Sequence, residues 1–261
     1  MNPERITIET RSSVRLIGLN RAAKRNAFDL QMYAELAQAY GDYERDAKAR
    51  CALLFAHGEH FTGGIELPQW LPLFRDGRMP PLPAGAIDPL LRTQALGKPL
   101  VIAVQGWCLT IGIELLLAAD IRVAAEGTRF AQIEVKRGIF PIGGATVRLV
   151  QELGWGNAMR ILLTGEEFSA VDALRWGLVQ EVVPHGQQTD RALALAQTVA
   201  RQSPVGVRAS LASARLARQA GERAAFARML PDLQQALAQD DAVEGLKAYL
   251  ERREPQFRDP E

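Results

Sequence analysis

Two carboxylates in unlike settings are the residues most able to do chemistry. Glu114 lies in IGIELLLAAD, flanked by Ile111, Ile113, Leu115, Leu116, Leu117, Ala118 and Ala119. No helical phase gives this stretch a broad polar face, so it should be buried. A carboxylate there needs a partner, such as an Arg, or takes a raised pKa. With a tuned pKa it can serve as an acid or a base. Glu134, in FAQIEVKRG, follows the strand-like stretch 128–131. It reads either as a second acid or as a solvated Glu beside Lys136 and Arg137. The third feature is backbone. FTGGI (61–65) and GWCLTIG (106–112) each follow an apolar strand. Glycine-bearing loops at strand ends can aim two N–H groups at one point, and such a pair stabilises an oxyanion. The second loop runs into a helix, whose N-terminal partial positive charge adds to the effect. Either loop alone also fits an ordinary turn.

These groups need elements to hold them. Residues 6–9 and 14–19 read as a hairpin. Asp29 is placed to cap a helix whose apolar face is Met32, Tyr33, Leu36, Ala39, Tyr40 and Tyr43. Buried strands are expected at 51–56, 100–105, 121–124 and 179–183, with a helix over 112–119. Strand, loop, helix, strand is the pattern of crossover α/β folds. Ser169 with Asp172 makes a capping box. Ser203 with Pro204 opens a helical region that runs, with breaks, to about Arg252. Seven of the fourteen prolines fall in 68–99, which predicts no regular helix or sheet there. A long irregular segment of this kind reads as a cover over a site or as a surface insertion.

Composition sets the outer limits. The chain has 261 residues, room for one large domain or one with a small satellite, and 48% are apolar. Lys and Arg total 31 against 30 Asp and Glu, a net charge of +1, which argues against a dedicated nucleic-acid binder. Two cysteines make no disulfide framework, and no Cys/His spacing reads as zinc. With no apolar leader and no long apolar run, the expectation is a soluble, cytoplasmic α/β protein with no membrane partner.

The order and spacing of the pieces resemble the crotonase, or enoyl-CoA hydratase/isomerase, superfamily. LNRAAKRNAF, LLFAHGEHFTGGIEL, IAVQGWCLTIGIELLLAADIRVA, FAQIEVKRGIFPIGGATVRL, LTGEEFSAVDALRWGLVQEVVP and the tail EGLKAYLERREPQF carry the resemblance, which covers nearly the whole chain. It implies a spiral of ββα units over 1–202 and a helical, trimerising region over 203–261. It further implies trimers or hexamers and an acyl-CoA thioester as substrate, with no tightly bound cofactor. Carried over residue by residue, the oxyanion N–H groups fall on Ile65 and Ile111, and the two acids of hydratases on Glu114 and Glu134. Similar isomerases usually lack an acid at the 114 position. Two acids suit addition of water to trans-2-enoyl-CoA, with Glu114 activating water and Glu134 protonating the carbon next to the carbonyl. Isomerisation, acyl-CoA hydrolysis and acyl-CoA binding without turnover remain the other readings. Lys24, Arg25 and Gly63 fall on the CoA side, and Trp70, Trp107 and Ile142 on the acyl pocket. Lys247, Arg252 and Arg253 lie near the C-terminus, which in relatives can reach a neighbour's nucleotide; Phe257 reads as an adenine contact or as a core or interface residue. Ile111 and Ile142 stand where relatives often have Gly, and Glu66 where Asp is usual.

Other reactive types are set aside. His57 and His60 lack a third metal ligand. Cys108 has no His/Asp context and reads as a buried, inert thiol. GWGNAM (154–159) lacks the third glycine of a dinucleotide loop.

Overall fold

A computed structural model describes residues 4–258. The expectations for the outermost termini, 1–3 and 259–261, lie outside the described residues. Strands β1 (Ile6–Arg11) and β2 (Val14–Leu19) form the expected antiparallel hairpin, with Ile8 opposite Ile17. A 3-10 turn, Ala22–Lys24, leads to helix α1 (Leu30–Arg45). The Asp29 carboxylate accepts the Met32 N–H at 2.8 Å, which satisfies one of the helix's free donors. Met32, Tyr33, Leu36, Tyr40 and Tyr43 form the buried stripe. Each such large side chain contributes roughly 1.5–3 kcal/mol by leaving water. Strand β3 (Cys51–Ala56) follows in parallel with β2.

The proline-rich segment departs from expectation at its start. Helix α2 (Leu67–Arg75) forms with Pro68 in its first turn, where a missing N–H costs nothing. Pro72 removes one internal bond. Trp70 anchors the helix, donating its Nε1 proton to the Phe28 carbonyl at 2.9 Å and meeting Tyr33 edge-on at 5.0 Å. Residues 76–99 are irregular, as expected.

Strand β4 (Leu100–Val104) stops one residue short of the expected 105, because Gly106 turns the chain at a φ of +56°. A short strand that the sequence did not reveal, β5 (Trp107–Leu109), precedes α3 (Ile111–Ala118). Then come β6 (Ile121–Ala125) and β7 (Arg129–Ala131), and a 3-10 turn at Glu134–Arg137. Helices α4 (Ala145–Leu153) and α5 (Trp155–Thr164), strand β8 (Phe168–Ser169) and helix α6 (Ala170–Trp176) follow. The Ser169–Asp172 capping box is present at the start of α6. Strand β9 covers only Glu181–Val183 rather than 179–183. The amides of Leu178 and Val179 still close the end of α6 on the Ala173 carbonyl. Helices α7 (Gln188–Ala200), α8 (Pro204–Ala220), α9 (Glu222–Leu237) and α10 (Asp240–Glu251) complete the chain. The Ser203 hydroxyl accepts the Gly206 N–H at 2.9 Å, so the Ser-Pro start of α8 is as read.

One sheet has the order β1-β2-β3-β4-β6-β9, parallel from β2 onward, and a smaller one the order β5-β7-β8. Register puts Leu16, Leu53 and Val101 on one face, against Ala192, Leu193 and Ala196 of α7. Ile17, Leu54 and Ile102 face the larger core, which holds α1 and α3. Strand β5 of the smaller sheet, paired with β7, runs directly into α3, and α3 carries Glu114.

Candidate active site

Both loops and both acids line one cavity of about 250 Å³. Gly63, Gly64, Ile65, Thr110, Ile111, Glu114 and Glu134 contribute to it, and Leu67, Trp70, Phe74, Met79, Leu90, Ile133, Arg137 and the stretch 139–143 form its remaining wall. The two N–H groups are left free by the backbone around them. Residue 65 makes a parallel bridge with Phe28, in which the Phe28 amide binds the Gly64 carbonyl and the Glu66 amide binds the Phe28 carbonyl. That pattern turns the Ile65 N–H to the other side of the chain. Ile111 is the first residue of α3, so its N–H has no acceptor within the helix. A second bridge, Thr62 with Cys108, ties the two loops together. Thr110 orients the Ile111 amide with φ 50° and ψ −110°, a strained conformation for a β-branched residue.

Glu114 is 5% exposed, and among the described residues no Arg forms an ion pair with it. Its Oε1 instead accepts the Gly143 N–H at 2.7 Å and the Ala145 N–H at 3.3 Å, at the start of α4. Burial pushes its pKa up, and the two amides pull it back, with smaller help from the charges of Arg92 and Arg148. A Cβ at Gly143 would collide with this carboxylate, so any side chain there would displace it. Sequence reading missed this support; the Gly-Gly pair in FPIGGAT was its visible trace.

Glu134 opens the 3-10 turn and is held more loosely. Gln132 Nε2 donates to its Oε1 at 3.1 Å, while Oε2 is buried with no hydrogen-bond partner. Its pKa is pushed up to about 7, chiefly by burial and further by the Glu114 charge. The solvated reading of this residue does not hold. Two acids in one cavity titrate as a pair.

The cover is ordered around Asp88. Tyr33 donates its hydroxyl proton to Asp88 Oδ1 at 2.5 Å, and Arg92 Nε meets Oδ2 at 2.7 Å. Arg148 of α4 donates to the carbonyls of Leu90 and Leu91, both at 2.8 Å. The same segment thus supplies part of the apolar wall and, in Arg92, one of the two positive charges near Glu114.

Trp70 and Ile142 line the cavity as expected, and Ile142 is 41% exposed at its mouth. Trp107 does not line it. Side chains alternate along β5, so Cys108 points into the core and Trp107 to the opposite face. There Trp107 stacks on His60 at 5.0 Å and lies under the Arg25 guanidinium at 4.6 Å. Gly63 lines the cavity, and its amide binds the Arg25 carbonyl at 2.8 Å. Arg25 stands beside that loop, and neither Lys24 nor Arg25 lines the cavity. His57 contacts the Thr7 hydroxyl at 2.8 Å, and His60 Nδ1 accepts the Trp107 amide at 3.2 Å. Both histidines are thus engaged structurally. Cys108 is buried, and burial raises its thiol pKa. At the C-terminus, Arg253 pairs with Glu244 and Glu251, and Phe257 is half-buried, its carbonyl accepting from Arg50.

Comparison with known proteins agrees with this geometry. Residues 9–260 match the family model described as enoyl-CoA hydratase/isomerase. Enoyl-CoA hydratase EchA19 of Mycobacterium tuberculosis is 36% identical over 255 residues, covering 96% of this chain and 95% of the relative. Mevalonyl-coenzyme A hydratase of Aspergillus fumigatus is 34% identical, covering 93% and 90%. The crystal structure of a probable enoyl-CoA hydratase/isomerase from Mycobacterium abscessus superposes with a TM-score of 0.96 at 47% identity, covering 98% of this chain and 99% of that one. The fold is accordingly that of the crotonases, and the chain belongs to the enoyl-CoA hydratase/isomerase family.

Proposed function

We propose that the protein is an enoyl-CoA hydratase, adding water reversibly to trans-2-enoyl-CoA to give 3-hydroxyacyl-CoA. What supports this reading is that Glu114, Glu134, Ile65 and Ile111 all line one largely apolar cavity, with the Ile65 and Ile111 amides outside the backbone hydrogen bonds around them. The thioester oxygen sits between the N–H groups of Ile65 and Ile111. Attack at Cβ pushes charge onto that oxygen, and fixed donors there hold it as an enolate; losing one such donor typically costs ~3–4 kcal/mol. Glu114, fixed by the α4 amides on Oε1, keeps Oε2 to take a proton from water. That water bonds to Cβ. Glu134, with a pKa near 7, gives its proton to Cα. One water is added, and the pair exchanges its protons with solvent to reset.

Lys24, Arg25 and Gly63 form the CoA side of this reading, and the cover forms the acyl side. The residues 203–261 are proposed as the trimerising region, with trimers or pairs of trimers as the assembly. Support comes from an exposed apolar face on α9 and α10, including Phe226, Leu230, Leu233 and Leu246. Among the described residues no helix is long and apolar enough to cross a membrane. A cytoplasmic location and a role in fatty-acid β-oxidation go with the same proposal.

The test follows loss of the conjugated enoyl-thioester absorbance on mixing purified protein with short and medium trans-2-enoyl-CoA. Turnover is expected for at least one chain length. No loss at any length contradicts the assignment.

A further inference from the structure

The cavity wall carries one cation. Arg137, the last residue of the 3-10 turn that begins with Glu134, is the sole basic residue among those lining the cavity. Its guanidinium has no carboxylate, carbonyl or ring partner among the described residues. Most arginines near the site are engaged. Arg21 is paired with Asp29 and Glu66, Arg92 with Asp88, Arg148 with two carbonyls, and Arg25 with Trp107. Lys136, the neighbouring cation, lies against Gly165 at the end of α5 and does not line the cavity. Arg137 therefore stands alone, exposed, on a wall it shares with Ile139, Phe140 and Ile142.

Charge and shape together define what fits. Phe140 and Ile142 are 64% and 41% exposed, so the wall at the mouth is an apolar strip with one arginine beside it. The acid pair that lines the cavity carries one negative charge in its working state, and that charge disfavours a further negative group. A lone guanidinium offsets that repulsion at one place, and its forked donors match a carboxylate. An acyl chain with a methyl end makes no use of it.

We propose that Arg137 selects acyl groups that end in a carboxylate, so that the preferred substrates are trans-2-enoyl-CoA thioesters of dicarboxylic acids. This rests on the reading of the cavity as a hydratase site. The apolar stem of the acyl group lies along Phe140 and Ile142, and its terminal carboxylate meets the guanidinium. The reaction that supplies such a substrate must form a thioester at one end of a dicarboxylic acid and introduce the 2,3 double bond.

The experiment compares methyl-ended and carboxylate-ended trans-2-enoyl-CoA of six, eight and ten carbons, on wild type, Arg137→Gln and Arg137→Glu. Each acyl group is also presented as its N-acetylcysteamine thioester, which lacks the phosphates of CoA. For wild type, kcat/KM should favour the carboxylate-ended substrate at one length or more by about tenfold to a hundredfold, the usual worth of a charge-assisted hydrogen bond. The preference should persist with the phosphate-free thioesters. Arg137→Gln should erase it while leaving the methyl-ended rates within about twofold, and Arg137→Glu should reverse it. An unchanged ratio in Arg137→Gln overturns the proposal. So does an equal loss on both acyl series that vanishes with the phosphate-free thioesters, because the guanidinium then serves a CoA phosphate. Size-exclusion elution of Arg137→Gln should match wild type; a shift with an unchanged ratio assigns the residue to a subunit contact and overturns the proposal as well. Failure of every substrate with wild type would instead strike the hydratase reading itself.

Discussion

Glu114 faces the start of α4, and Glu134 stands on a 3-10 turn across the same cavity. At the first place, two backbone amides fix one carboxylate oxygen and oppose the effect of burial. At the second, one side-chain amide holds one oxygen, the other is buried unbonded, and the pKa rises to about 7. The same residue type is thus a carboxylate fixed by backbone donors in one setting and a loosely held, readily protonated group in the other. The donors around each carboxylate make this difference, since burial raises both. It divides the work, with water activation assigned to the fixed acid and protonation of carbon to the other.

Removing either acid should break the comparison outright. Glu114→Gln and Glu134→Gln should each lower kcat by about 10²–10⁴-fold, the usual range for a positioned acid or base, with circular dichroism unchanged. Rates equal to wild type in both would sink the site assignment. Gly143→Ala attacks the fixed side alone, because its Cβ collides with the Glu114 carboxylate. A displacement near 1 Å can cost about 100-fold, so kcat should drop strongly while KM moves little.

The other side is sharpened by stability. A carboxyl whose folded pKa lies above its unfolded value binds more protons when folded, so stability falls as pH rises through that interval. For Glu134 the interval runs from 4.5 to about 7, a loss of at most about 3 kcal/mol. Urea midpoints from pH 4.5 to 8 should show this decline in wild type and a shallower one in Glu134→Gln. Parallel curves would mean that Glu134 titrates normally. The smallest effect is expected at Gln132. Gln132→Leu removes the donor to the Glu134 carboxylate, which should raise its pKa by less than about one unit. An NMR titration of Glu134 would read that shift.

Much of this contrast was legible in the sequence. Glu114 announced itself as a charge in an apolar helix, because local pattern alone required its burial. The two N–H loops were legible from glycines after strands, and the hairpin, α1 and the capping box from local chemistry. What the sequence hid depends on tertiary contact. Glu134 beside Lys136 and Arg137 also reads as solvated, and only the packed cavity desolvates it. The amides of Gly143 and Ala145 come from 29 and 31 residues away, so no local pattern reveals them. Helix α2 formed despite its prolines because Trp70 is anchored in the core. Trp107 fell outside the cavity because β5, only three residues long, sets which side of the chain it faces.

The division of labour has a direct kinetic signature. Hydration needs Glu134 protonated and Glu114 ionised, and dehydration needs the reverse, so both directions use the pair carrying one proton. The overall reaction takes up no net proton, so the ratio of the two kcat/KM values cannot vary with pH. The decisive measurement is kcat/KM against pH in both directions, for wild type. Parallel profiles are expected that fall with a slope approaching −1 above about pH 7, as the pair loses its last proton. Profiles flat from pH 6 to 9 would contradict this division of labour, because a doubly ionised pair would then turn over as fast as the pair holding one proton.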